Sequence, residues 1–442
     1  MQAEVEHGLR ESTMASETTS LLPSNSHSTA FDAAMSSSSL VSMIFVVLQA
    51  LLLAFFIAGT KYSDEKFDVK EFIAFRDIMA MLLLGFGYLM TFLKNYGLGA
   101  VGFAMMLSIL SMELNIVVEL LARVAYGASG DDTSWPMPIS MSSLIDSEFA
   151  AATLMITFGA VIGRASPLQM IIICISQAFF YAFNKVVLVL GAIGAEDVGG
   201  SMTIHMFGAY FGLAASYALG APKDVDASGA SLPDKVSDVL ALIGTTILWV
   251  FWPSFVGATE TGVLDNENRC VVNTIVALLA STTMSFFLSQ KLKHGKFDPV
   301  HVANSTLAGG VAIGSAARLN IGPGGAMVTG ALAGAVSVLG YVYSSPYLES
   351  KFGICDTCGV GNLHGYPSLV GGLLSIVFVA LDPNAEFLQY TVGPQMWRQF
   401  AGVLTTLLVS IASGYGTGAF ASSFKDDATA SFADSVWWHL EY

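Results

Sequence analysis

Apolar residues fall along this chain in runs of about twenty, the length that crosses a bilayer core as a helix, with short polar breaks between them. The runs lie at roughly 40–59, 77–93, 98–124, 144–163, 167–190, 200–219, 236–257, 271–290, 299–317, 324–343, 360–381 and 397–421. They predict twelve membrane helices, an even count that puts both ends of the array on one side. A polar loop at 221–235, rich in Pro, Asp and Ser, divides the array into halves. Residues 1–39 are polar, rich in Ser, Thr and Glu, and read as a disordered tail. Residues 422–442 form a short second tail ending in Trp437-Trp438-His-Leu-Glu-Tyr442, either frayed or a docking segment on the membrane surface or another subunit. The expected fold is an all-α polytopic membrane protein with a transmembrane domain at 40–421 and two cytosolic tails.

Composition sharpens this class. Of 442 residues, 54% are hydrophobic and 12% charged, too few charges to coat several soluble domains. The mean hydropathy of +0.63 agrees. Forty-three glycines suit close helix packing. The net charge of -15 sits mostly in loops and tails and argues against nucleic acid as a partner. Four cysteines are too few for a disulfide framework, and the Cys355/Cys358 pair lacks the second pair a metal or redox site would need. No cofactor is expected. The first apolar run begins near Leu40, so no cleavable signal is visible. Lysine and arginine cluster on both sides (Lys291, Lys293 and Lys296 against Lys61, Lys66 and Lys70), so charge votes weakly on orientation. The long first tail favours a cytosolic N-terminus; its Glu17-Thr-Thr-Ser-Leu21-Leu22 fits an acidic dileucine sorting pattern or a chance match.

The candidate chemistry lies in two matched stretches. Asp197-Val-Gly-Gly-Ser-Met-Thr-Ile-His205 and Asp356-Thr-Cys-Gly-Val-Gly-Asn-Leu-His364 each place an aspartate eight positions before a histidine and open an apolar run. Eight helical residues advance about 12 Å, so each unit can hold a carboxylate at a helix mouth and an imidazole at membrane depth. Ionisable groups there are costly and point to function; the bland alternative is a histidine packed between helices and bonded to a backbone carbonyl. The histidines lie on the sixth and eleventh runs, an odd separation, so their helices point in opposite directions. That pattern predicts two inverted five-helix repeats with a shared site near the midplane.

At these residues the chain resembles the Rh glycoprotein branch of the ammonium transporter (Amt/Mep/Rh) superfamily. Further stretches carry the resemblance: Gly85-Phe-Gly-Tyr-Leu-Met-Thr-Phe92, Gly199-Gly-Ser-Met-Thr-Ile-His-Met-Phe-Gly208, Trp249-Val-Phe-Trp-Pro-Ser-Phe255, Asn304-Ser-Thr-Leu-Ala-Gly-Gly-Val-Ala312 and Asn362-Leu-His-Gly365. They cover about residues 75–380 in the family's order. The resemblance implies a plasma-membrane homotrimer (an endomembrane or vacuolar site is the alternative) with one narrow hydrophobic pore per subunit. The substrates it implies are ammonium and ammonia, and carbon dioxide is proposed for some members. It further implies that His205 and His364 are paired pore histidines, that Phe149 and Phe255 gate the outer end, and that Asp197 is the aspartate important to structure and function. Asp197 either attracts ammonium or caps its helix. Glu148 keeps a carboxylate beside the Phe149 gate. Lys185 departs from the pattern, standing where many Rh glycoproteins have an acid near the outer vestibule; it repels ammonium there unless it snorkels away or pairs with Glu196 or Asp197.

An intact ammonium ion entering a dry apolar pore meets a large desolvation cost that neutral ammonia largely escapes. The expectation is therefore a channel, not an enzyme: ammonium is recruited, gives up its proton, and crosses as ammonia. The competing readings are an electrogenic Amt-type transporter, a non-conducting structural or sensing relative, and a membrane metalloenzyme lacking the usual carboxylate-rich ligand set.

Overall fold

The computed structural model of the chain describes residues 26–127, 135–220, 231–260, 264–382, 388, 390–424 and 432–441. Twelve helical segments account for nearly all of it. They are α1 (Ser26–Gly59), α2 (Val69–Phe92), α3 (Gly97–Tyr126), α4 (Met141–Val161), α5 (Pro167–Ile193), α6 (201–219), α7 (Lys235–Glu260), α8 (Leu264–Leu292), α9 (299–316), α10 (Gly322–Phe352), α11 (Gly361–Leu381) and α12 (Val392–Ser422). Among the described residues, ten of these are long and apolar enough to cross a membrane; α6 and α9 are the other two. The all-α membrane fold expected from the apolar runs is the fold observed. Among the described residues the one strand pairing is minor: β1 (Thr60–Tyr62) runs parallel to β2 (Met137–Ile139).

Three segments refine the expected boundaries. Helix α1 begins at Ser26, so residues 26–39, read as tail, are helical. The dileucine stretch and most of the 221–235 loop lie outside the described residues. The described part of the C-terminal tail, residues 432–441, is docked: Asp434 accepts hydrogen bonds from the backbone N–H of Leu98 (2.8 Å) and Gly99 (2.6 Å), closing the open first turn of α3. Trp438 packs on Phe103 with ring centroids 5.6 Å apart, and the Phe432 N–H donates to the Gly163 carbonyl.

The core is buried mostly along α4, α6 and α9. Helix α9 is broken between Ser305 and Ala308, and its Gly309-Gly310 pair lies tight against α7 and α8. A Cβ on Gly310 would sit 2.5 Å from the Trp252 indole nitrogen, so only glycine lets α9 approach the Trp252 ring this closely.

The two halves repeat in opposite directions. Two residues after each aspartate, a backbone N–H reaches a glycine carbonyl on the paired helix: Gly199 to Gly314 of α9 (2.9 Å) and Cys358 to Gly159 of α4 (3.0 Å). Gly200 and Gly359 each turn the chain with left-handed φ of 70° and 73° before the histidine helix starts. The end of α6 meets the start of α11 through the Ser216 hydroxyl and the Cys355 carbonyl, so the two histidine helices lie antiparallel.

Candidate functional site

Both histidine helices start the same way. Ser201–Met206 and Gly361–Gly365 are wide π-helical turns, a geometry that recurs at functional sites because it swings side chains out of the regular spiral. The aspartates hold those turns by their open backbone donors. Asp197 accepts from the Met202 N–H (3.1 Å), the Thr203 N–H (2.7 Å), the Thr203 hydroxyl (2.8 Å) and the Ser315 hydroxyl. Asp356 accepts from the Val360 and Gly361 N–H groups, both at 2.8 Å. Each carboxylate spends its lone pairs on the protein. Burial pushes the Asp356 carboxyl up to about 6, with its backbone donors pulling the other way.

The two imidazoles meet directly. His205 Nδ1 and His364 Nδ1 are 3.2 Å apart, the rings are within 13° of parallel, and both residues are buried. On the His205 side of the pair, Phe255 lies 5.9 Å from His205 and meets Phe149 edge to face at 5.0 Å. The two rings thus lie one behind the other, ahead of the histidines. On the His364 side Phe86 stacks on His364 at 6.3 Å. Beyond it a cavity of about 20 Å³ bordered by Phe86, Leu363 and His364 is followed by one of about 240 Å³ that reaches Asp238 and Asp356. Leu89, Phe92, Asn304 and Cys358 border both.

Two rings in this row escaped the sequence reading. Trp252 stacks on His205 at 5.6 Å with its indole N–H unpartnered, and Phe86 covers His364. Both sit inside the quoted stretches at 249–255 and 85–92, so the signal was present without a role attached. Cys355 and Cys358 also find one. The Cys355 carbonyl and the Cys358 N–H anchor the turn into α11, and no disulfide joins the two residues.

The charged residues near the outer end differ from expectation. Glu148 is fully buried and neither carboxylate oxygen has a hydrogen-bond partner, so it is not displayed at an open mouth. Lys185 pairs with neither Glu196 nor Asp197. Its ammonium meets Asp146 at 2.9 Å and Glu119 at 3.6 Å, and Arg123 bonds the same two carboxylates at 3.3 and 2.7 Å. Two cations and two anions share one network between α3, α4 and α5, so Lys185 is balanced where it stands. Glu196 pairs instead with Arg318, which also holds Glu260 at 2.8 Å. Burial pushes Glu196 up to about 7 against the pull of Arg318.

Comparison with known proteins gives the family. Residues 37–424 match the Ammonium Transporter Family. The chain is 37% identical to the ammonium transporter Rh type B of Sus scrofa, over 83% of this chain and 82% of that one. It is 36% identical to the Homo sapiens protein of the same name, over 86% and 84%. Among solved structures, Rh50 of Nitrosomonas europaea superposes with a TM-score of 0.72 at 34% identity, covering 85% of this chain and 93% of that one. Saccharomyces cerevisiae Mep2, at 17% identity and a TM-score of 0.62 over 80% and 88%, shares the fold. The chain belongs to the Ammonium Transporter Family, within its Rh branch.

Proposed function

We propose that this chain is an Rh-type ammonium channel that conducts neutral ammonia down its gradient. The observation that carries the reading is the direct Nδ1–Nδ1 contact of His205 and His364 within a row of buried aromatic rings. In that contact one imidazole donates its Nδ1 proton and the other accepts it. The donor then offers its Nε2 lone pair, and the acceptor offers an Nε2 proton. The His205 Nε2 has no protein partner. One donor beside one acceptor suits ammonia, which both gives and takes hydrogen bonds; ammonium has no lone pair and is served by only half the lining.

Phe149 and Phe255 exclude water and turn π faces toward an arriving cation. Ammonium gives up its proton to water on the outer side of these rings, where the proton stays, and ammonia alone passes the histidines to the inner cavity. The aspartates act as helix caps that hold the histidine-bearing turns, and Lys185 is electrically balanced, so recruitment does not depend on a strongly acidic mouth. All the pore rings belong to one chain, which supports one pore per subunit; membership of the Rh branch supports assembly of such subunits into a homotrimer, and we place it in the plasma membrane with the tails cytosolic.

The test is ammonia flux into liposomes carrying the protein, with membrane current recorded alongside. Flux without net current, abolished in His205→Ala, is the expected result. A saturable current would move the chain to the electrogenic class; absence of flux would favour a scaffold or sensor. Carbon dioxide passage is measured in the same vesicles by internal acidification.

A further inference from the structure

The carbonyl just ahead of each aspartate is held by buried side chains, and the two arrangements are reciprocal. Ahead of Asp197, the Gln399 side-chain oxygen accepts from the Glu196 N–H (2.6 Å). Its amide group donates to the Glu196 carbonyl (2.8 Å) and to the Ser375 hydroxyl (2.8 Å). Ahead of Asp356, the Cys355 carbonyl accepts from the Ser216 hydroxyl and from Arg164 at 3.2 Å, and Arg164 also donates to the Ser216 oxygen at 2.6 Å. Ser216 and Ser375 occupy equivalent positions, each eleven residues after the histidine of its own helix. Thus the far end of α6 holds the mouth of α11, and the far end of α11, through Gln399, holds the mouth of α6. Ser216, Ser375 and Gln399 are completely buried and Arg164 nearly so.

We infer that these two pins set the spacing of the histidine pair, with Gln399, Ser375, Ser216 and Arg164 as positioning residues for His205 and His364. This rests on the twin-histidine pore proposed above. Two antiparallel helices pinned at one end remain free to pivot; pinned at both ends they can neither pivot nor slide. Each serine lies about 16 Å along the helix from its histidine, so the imidazoles sit between the pins and inherit their separation. Hydrogen bonds to buried backbone groups suit this task, because their loss leaves a donor or acceptor unmatched and the helix start shifts to find another. Gln395 and Arg398 add weight to the outer pin by donating to the carbonyls of Gly194 and Ile193.

The experiment compares wild type, Ser216→Ala, Gln399→Leu and the combined variant as full-length protein in bilayers. Two readouts are taken: the nitrogen NMR spectrum of labelled histidines, which reports the Nδ1–Nδ1 hydrogen bond, and ammonia flux per folded protein. Each single variant is expected to lose or broaden the hydrogen-bond signal and to cut flux by about tenfold, as sub-ångström misplacement of paired groups does. The combined variant should cost little more than the worse single one, because both pins serve one contact. Ser216→Thr, which restores the hydroxyl, should recover the signal. Should Gln399→Leu fail to reach the membrane, Ser375→Ala weakens the same pin more gently. Variants that fold with wild-type histidine spectra overturn the inference, even if their thermal stability falls. If wild type fails to conduct, or His205→Ala conducts normally, it is the pore reading that fails, and the spectra alone decide the pins.

Discussion

A methyl group placed on Gly310 tests whether the close approach of α9 to Trp252 is what seats His205. In Gly310→Ala the new carbon would lie 2.5 Å from the Trp252 indole nitrogen and 2.6 Å from two neighbouring ring carbons. Ordinary carbon contacts begin at about 3.5 Å, so the ring or the helix must retreat by about 1 Å. Trp252 is 1% exposed and stacks on His205 at 5.6 Å, so no open space receives the displacement and the stacking must change. Overpacking of this kind costs about 1–3 kcal/mol of stability. Ammonia flux should fall by about tenfold once the imidazole leaves its partner. Because the indole N–H has no hydrogen-bond partner, Trp252→Phe sacrifices none, and its smaller ring can withdraw from the new methyl into the space the indole's second ring vacates. Stopped-flow flux in proteoliposomes, normalised to folded protein, should show Gly310→Ala impaired and Gly310→Ala/Trp252→Phe returned to the level of Trp252→Phe alone. Wild-type flux in Gly310→Ala, or a double variant no better than it, would refute the reasoning.

Three other outcomes follow from the charged and capping groups. Burial holds the Asp356 carboxyl at about 6 against an ordinary value of 3.8, so the unfolded chain gives up that proton first. Stability contributed by this group is full below the ordinary value and is lost as pH rises through about 6; thermal melts of Asp356→Asn between pH 4 and 7 should show a flatter dependence than wild type. Lys185→Met would leave Glu119 and Asp146 with Arg123 as their shared cation, and a loss of about 3–5 kcal/mol is expected in denaturation assays. Adding Asp146→Asn should return part of it, whereas a vestibule lysine that merely repels ammonium would raise flux when removed and leave stability alone. Asp434→Ala should cost about 1 kcal/mol through the lost α3 cap and expose the tail to protease; an uncut tail would count against the docking seen at Leu98 and Gly99.

Much of this architecture could be read from the chain because membrane helices keep their backbone bonds internal and announce themselves by length alone. His205 and His364 stood out for a related reason: an imidazole inside a long apolar run is conspicuous, and the repeated aspartate eight residues upstream doubled the signal. The reciprocal direction of α6 and α11 followed from counting. What stayed hidden depends on which helices become neighbours. Lys185 was matched to Glu196 and Asp197 because they are near in sequence, yet its partners stand on α3 and α4, with Asp146 thirty-nine positions away. Glu148 looked like a mouth residue because its neighbour Phe149 faces the pore, but adjacent residues on a helix point about 100° apart, and this one points into the packed interior. Trp252 and Phe86 are aromatic residues among many, and only the assembled row separates them from ordinary packing. The start of α1 at Ser26 was missed because Ser-rich sequence carries no apolar period to mark a helix.

The docking of Asp434 has a consequence for how the protein is made. The cap of α3 comes from a residue 336 positions further along the chain. During synthesis, therefore, the first turn of α3 waits for its cap until a stretch translated after all twelve helices has been made. A chain interrupted between the end of α12 and Asp434 would have every pore ring in place and still carry an open start to α3.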